Sequence, residues 1–233
     1  MTTSADQAKI PLAVYCLILG YNQCTLKLLL VKRRMVTHKN RWCVMNGFVQ
    51  TDESIDQACS RMFKELTGLE TVYLEQLHVF GGNYRDPSKP TISIVYFALA
   101  DINKYKEQIN IDYQAEWFPL KKLPKLIPCQ QEMVAMTKER IRYKAARQPL
   151  LFELLPTRFT IPQVHDLYEN IYNVPIDTHN FSKKLRATGL LIKLDEEDKT
   201  SKKDIHYYQL HTRNYYMQFQ QSLNFMSSPD QLV

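Results

Sequence analysis

The chain has 233 residues, 45% of them hydrophobic, and a formal net charge of +6. That length suits one large or two modest domains with real cores, and the mild positive charge leans toward an anionic partner without naming one. Five scattered cysteines, odd in number and without a C-x-x-C pair, argue against a disulfide framework or a zinc site and for a reducing, cytoplasmic compartment. No apolar run reaches the roughly 18 residues of a membrane span. The opening MTTSADQAK lacks a signal-type apolar stretch and reads as a loose tail over 1–9.

Residues 12–19 and 26–31 are apolar runs separated by GYNQC, the pattern of a hairpin. Lys32, Arg33 and Arg34 close its second strand. A short strand over 41–44 leads into GFVQTDESIDQACSRMFKELTGL, residues 47–69. There Ser54 and Gln57 have capping-box spacing. Ile55, Ala58, Cys59, Met62, Phe63 and Leu66 fall on one helical face, and Gly68 can end the helix in a left-handed conformation. Residues 72–80 read as a strand broken by Gly81 and Gly82, followed by the turn-rich loop NYRDPSKP. TISIVYFAL, 91–99, is the best strand in the chain and is expected at the centre of a sheet; 115–120 is a shorter one. Pro124 and Pro128 mark a loop before a basic helix over 132–146.

The pattern changes at 144–149, a natural junction. Thr160 and Gln163 again have capping-box spacing, and Val164, Leu167, Tyr168 and Ile171 form a helical stripe. After the turn NVPI, Asp177 can cap a second helix that Gly189 ends. A strand over 190–194, the polar loop DEEDKTSKKD and a returning strand over 205–210 complete the order of a winged helix. At about 100° per residue, Phe181 and Leu185 face inward, while His179, Lys183 and Arg186 face out with Asn180 nearby and Lys184 on the flank. That face has the donors that phosphates and base edges need, and Lys199, Lys202 and Lys203 in the wing can reach a neighbouring phosphate. The acidic run 195–198 opposes this. His165, His179, His206 and His211 have no ligand spacing, so no metal site is expected from them. Tyr207, Tyr208, Tyr215 and Tyr216 read as wing packing and domain or dimer contacts.

The 47–69 stretch resembles the Nudix box, G-x5-E-x7-R-E-U-x-E-E-x-G-U with U aliphatic. Gly47, Glu53, Arg61, Glu65, Gly68 and Leu69 match it, and the aromatic Phe63 stands at an aliphatic position. Met62 and Leu66 stand where the family carries glutamates. In that family these glutamates hold magnesium for attack on a diphosphate. A thioether and an alkyl group do not replace hard oxygen ligands, so the scaffold is expected without its hydrolysis, without a catalytic or metal site and without a cofactor. R-D-P at Arg85–Asp86–Pro87 before a strong strand, with the winged-helix order beyond, resembles the Nudix-related transcriptional regulators. GFVQTDES, ELTGLETVYLEQ and LLPTRFT look closest to their arabinose-type, sugar-responsive branch.

The resemblance implies an α+β fold: a Nudix-like α/β/α sandwich over 10–146, then a C-terminal winged helix-turn-helix domain over 147–233. It implies a homodimeric repressor of a double-stranded DNA operator whose affinity is shifted by a small effector, a pentose such as arabinose or ADP-ribose. The expected effector contacts are Glu53, Glu65, Arg85, Asp86, Phe48 and Trp42. The expected DNA contacts are His179, Asn180, Lys183, Lys184, Arg186, Lys199, Lys202 and Lys203. The competing class is a metal-dependent hydrolase of a nucleoside-diphosphate sugar that has rearranged its ligands onto Glu53, Glu65 and an acid such as Glu116, with the winged helix as an appendage. A third reading, a protein-interaction module, follows from winged helices that bind proteins.

Overall fold

A computed structural model describes residues 10–32, 41–68, 73–81, 90–105, 114–197 and 205–220. Its first half is a seven-stranded sheet. Strands β1 (Leu12–Asn22) and β2 (Thr25–Lys32) form the expected hairpin. Its two-residue turn, Gln23 and Cys24, has positive φ at both positions, the mirror-image turn that matches the twist of paired strands. β3 (Trp42–Cys43) extends β2, and β4 (Met45–Phe48) pairs with β1. β5 (Tyr73–Phe80) flanks β6 (Ile92–Ala100), which lies parallel to β1 from Leu12↔Ile92 to Gly20↔Ala100. β7 (Gln114–Pro119) adds to β2. The expectation that 91–99 is central holds, since β6 lies between β1 and β5.

β1 is buried from Ala13 to Tyr21 because both faces of the sheet are covered. Strand alternation sends Tyr15, Leu17 and Leu19 into one core and Val14, Cys16 and Ile18 into another. Helix α1 (Ile55–Thr67) covers the second core. It starts at the full Ser54/Gln57 capping box and stops at Gly68, whose φ is 74°. Helix α2 (Pro128–Ala145) covers the first core. It begins four residues before the expected start at Glu132, because Pro128 occupies the first helical position, where its missing N–H costs nothing.

The second half begins with a buried 3-10 helix, Leu150–Leu154, not apparent in the sequence, and a two-residue strand β8 (Phe159–Thr160). Helix α3 (Ile161–Tyr172) has the expected Thr160/Gln163 capping box, and α4 (Thr178–Ala187) is capped by Asp177, whose Oδ1 accepts from the Asn180 amide at 2.7 Å. β9 (Leu191–Glu197) and β10 (His206–Leu210) form a sheet with β8, in the order β8-β10-β9. β9 continues past the expected end at Leu194, so Asp195, Glu196 and Glu197 belong to a strand and not to the wing loop. A further helix, α5 (Thr212–Gln220), follows.

The two halves share a core. Leu17, Leu28 and Phe97 of the first sheet belong to the same apolar cluster as Val164, Leu167, Tyr168 and Leu185. Polar contacts lock the joint: Asn170 Nδ2 donates to Cys24 O at 2.9 Å, Arg142 Nε to Ile171 O at 2.7 Å, and Tyr172 OH to Arg142 O at 2.8 Å. The expected junction is thus a packed connection. Among the described residues no helix is long and apolar enough to cross a membrane.

Candidate ligand and nucleic-acid sites

Arg61 organises the loop before α1. Its Nε and Nη2 donate to the two oxygens of Glu53 at 2.8 and 2.7 Å, its Nη1 to Glu65 Oε1 at 3.3 Å, and its Nη2 also to Phe48 O at 3.4 Å. Glu53 Oε1 additionally accepts the Gln50 amide at 2.8 Å. The Arg61 fork, with the Gln50 amide second, holds the Glu53 carboxyl down to about 2, so this group stays ionised. Both of its oxygens are occupied, which makes it a brace between loop and helix. Glu65, with 52% of its side chain exposed, is the more available carboxylate of the two.

Met62 and Leu66 turn inward. They are 7% and 3% exposed and pack in the cluster that contains Val14, Ile18 and Ala98. A Cβ at Gly47 would lie 2.3 Å from the Met62 Sδ, so the loop glycine makes room for the thioether. The two positions where glutamates would hold a metal are therefore filled by core.

Strand register separates the other expected groups. Glu116 pairs with Leu30, whose side chain lies in the α2-side core, while its neighbours Ala115 and Trp117 face the α1 side. Glu116 is thus on the opposite face of the sheet from Glu53 and Glu65. It cannot complete a site with them, which corrects the expectation for Glu116. Trp42 also lies on the α2 side, edge-on to Phe118 at 4.8 Å with Lys32 Nζ 4.6 Å from its ring centroid. Phe48 pairs with Ala13, another α2-side residue, and is 55% exposed. The Trp42 and Phe48 side chains thus face away from α1, although the Phe48 carbonyl shares Arg61 with Glu65. Arg85 and Asp86, like Arg33, Arg34 and residues 1–9, lie outside the described residues.

One polar group near α1 escaped the sequence reading. Tyr96 on β6 donates to Asp56 in the first turn of α1, and its oxygen lies 3.4 Å from Gln76 Oε1. Burial, and then the Asp56 carboxylate, push the phenol well above its ordinary range. The pairing of Gln76 with Tyr96 between β5 and β6, and the packing of α1 on that face of the sheet, bring these positions together.

On α4, Phe181 and Leu185 are buried, with the Phe181 ring 5.2 Å from both His165 and Tyr168. His179, Asn180, Lys183, Lys184 and Arg186 are all exposed, as the helical spacing predicts. The helix therefore presents a cationic outer face on an apolar footing. Lys199, Lys202 and Lys203 lie outside the described residues. Among the described residues, the groups that could gather around a cation are His165, Asp166 and Glu169. His165 Nε2 bonds to Ile176 O and Glu169 Oε1 accepts the Ile176 amide, each at 2.8 Å, so both side chains serve the α3–α4 turn. Tyr208 and Tyr215 are buried; Tyr215 donates to Glu153 within the same half of the chain, while Tyr216 is exposed.

Residues 9–137 match the NUDIX domain family, and residues 151–210 match the NrtR DNA-binding winged helix domain. The chain is 26% identical over 212 residues to the ADPR responsive transcriptional repressor NtrR of Acinetobacter baylyi, covering 89% of this chain and 85% of that protein. It superposes on Shewanella oneidensis NrtR complexed with a 27mer DNA with a TM-score of 0.79 and 26% identity, over 91% of this chain and 99% of the other. The NUDIX domain of the same Shewanella protein, solved with ADP ribose, matches with a TM-score of 0.50 and 26% identity, over 60% of this chain and 94% of the other. The stretches that resemble a sugar-responsive branch are thus outweighed by relatives linked to ADP-ribose, and the arabinose-type assignment is corrected.

Proposed function

The chain belongs to the NUDIX domain family, and on that footing we propose that it is a DNA-binding transcriptional repressor whose Nudix domain senses ADP-ribose without hydrolysing it. The observation that carries the reading is α4: five exposed polar or cationic side chains opposite the buried Phe181 and Leu185, in a chain that superposes along 91% of its length on a structure solved with DNA. Lys183 and Arg186 are the proposed contacts to phosphate and base edges, with His179, Asn180 and Lys184 around them. Lys199, Lys202 and Lys203 are proposed to reach flanking phosphates. We divide the chain into an effector half, 10–146, and a DNA-binding half, 147–233, acting as a homodimer on two half-sites.

Loss of hydrolysis is supported by the burial of Met62 and Leu66 and by the engagement of both Glu53 oxygens with Arg61. Glu65, Arg85 and Asp86 are the proposed effector contacts and Glu53 their support. Regulation requires that ADP-ribose bind one dimer arrangement more tightly than the other, since equal affinity shifts nothing.

The test is fluorescence anisotropy on the promoter fragment upstream of the protein's own gene. Lys183→Ala or Arg186→Ala should each weaken binding by roughly 1–3 kcal/mol where it reads a base. ADP-ribose should shift the titration and arabinose should not. Unchanged binding by both variants would sink the DNA assignment. In a parallel assay with magnesium and ADP-ribose, turnover should be absent; robust hydrolysis abolished by Glu65→Gln would restore the enzyme reading.

A further inference from the structure

On the face of the sheet away from α1, the two halves of the chain line a half-open cavity of about 510 Å³. Its accessible apolar floor is Pro119 and Leu120, at the end of β7 and just after it, backed by the buried side chains of Leu19 from β1, Ile141 from α2 and Ile171 from α3. Its cations are Lys121 and Lys122, in the turn after β7, and Lys138 and Arg142, one helical turn apart on α2. Among the described residues that line it, none is acidic. Among the described residues none of these four cations has a carboxylate partner within ion-pair distance.

The cations are only lightly occupied by the protein. Lys138 Nζ lies 3.5 Å from Leu120 O, a long contact, and Arg142 donates its Nε to Ile171 O at 2.7 Å. Like charges at i and i+4 on a helix destabilise each other. Partial burial adds to this at Lys138: desolvation, and then the Arg142 charge, lower the pKa of its ammonium. An anion in the cavity relieves both penalties. The cavity's volume falls in the range of small-molecule sites, and an apolar floor with a few convergent polar groups is their usual lining.

We propose that this inter-domain cavity binds a small organic phosphate, its phosphate group held among Lys121, Lys122, Lys138 and Arg142 and its apolar remainder over Pro119 and Leu120. The site is distinct from the one beside α1. Leu19 and Ile141 belong to the α2-side core, whereas α1 packs on the opposite face of the sheet. A molecule bound there touches α2 and α3 together, and so bridges the two halves of the chain.

The test uses the full chain and pyridoxal 5′-phosphate. Its phosphate supplies the anion, and its aldehyde condenses with an unprotonated lysine amine to give an imine with loss of water. Borohydride reduces the imine, and peptide mapping locates the adduct. Lys138 is expected to be the dominant site, ahead of the more exposed lysines, and excess AMP should remove its adduct. In a chain carrying both Lys121→Ala and Lys122→Ala, protection by AMP should weaken about tenfold, the scale of one lost charge-assisted hydrogen bond. Those two side chains are exposed, so the variant should fold normally, with an unchanged circular dichroism spectrum. Adducts spread over surface lysines in proportion to exposure would overturn the proposal, as would a Lys138 adduct that AMP leaves untouched. Protection by inorganic phosphate as effective as by AMP removes the role of the apolar floor and also overturns it. Protection by a DNA duplex and not by AMP would reassign these cations to nucleic-acid contact, with the same result. A ligand bound only beside α1 leaves the Lys138 adduct in place, so the readout stands apart from the ADP-ribose proposal.

Discussion

At the scale of single residues, Glu53 in the loop before α1 and Leu66 within the helix both serve the structure, in opposite ways. Glu53 is ionised and doubly engaged by Arg61, and its folded pKa of about 2 lies below the ordinary value of 4.5. A depressed carboxyl contributes stability that is complete above its unfolded pKa and is lost as pH falls toward the folded one. Thermal unfolding of Glu53→Gln, compared with the parent between about pH 4.5 and 2, should therefore show a flatter acid limb; parallel profiles would remove Glu53 as the brace. Leu66 behaves in the opposite way. Leu66→Ala should cost about 2–5 kcal/mol by urea unfolding, the range for emptying a buried site. Leu66→Glu should be more destabilising at pH 8 than at pH 5, because a carboxyl buried among apolar side chains has a raised folded pKa, and its penalty grows as pH rises above the unfolded value. Equal stability of Leu66→Glu at the two pH values would mean that the position opens to solvent.

At the scale of elements, three helix starts were legible because their chemistry is local. Ser54/Gln57, Thr160/Gln163 and Asp177 each satisfy their own first-turn amides, and all three caps form as their spacing predicts. Ser54→Ala and Thr160→Ala should each cost about 1 kcal/mol, read from denaturant midpoints; a neutral result at either would mean that packing alone sets that helix start. Glu116 illustrates the other case. Its strand was legible from the aromatic pair Trp117 and Phe118, but which face its carboxylate took depends on pairing Leu30 with Glu116, and a one-residue slip in register would reverse it. The 3-10 helix Leu150–Leu154 was missed for a related reason: its apolar run has no period to distinguish it from a strand, and burial against the rest of the molecule settles its form.

At the scale of the whole molecule, the shared core makes the two halves dependent on one another. Tyr21 donates to Gln163 O at 3.3 Å across the joint, and Tyr168, which belongs to α3, is 1% exposed. We expect urea unfolding to be a single transition. Tryptophan fluorescence reports only the first half, since Trp42 and Trp117 are the chain's two tryptophans, while far-UV circular dichroism reports both. The two curves should coincide; separated midpoints would mean that the winged helix is an independently stable appendage.

The sequence by itself determined the helix caps, the hairpin, the order of the winged helix, the outward cationic face of α4 and the apolar stripe that carries Met62 and Leu66, because each depends on residues within a few turns of one another. Only the tertiary structure decided that β1 and β6 run parallel, that Glu116, Trp42 and Glu65 are divided between two faces of a sheet, and that the second half packs on the first to line a cationic cavity. These depend on register and on packing between distant segments, for which local spacing carries no physical signal. The Nudix-like helix takes its meaning from both: its side chains were readable along the chain, and their burial was settled by the sheet beneath them.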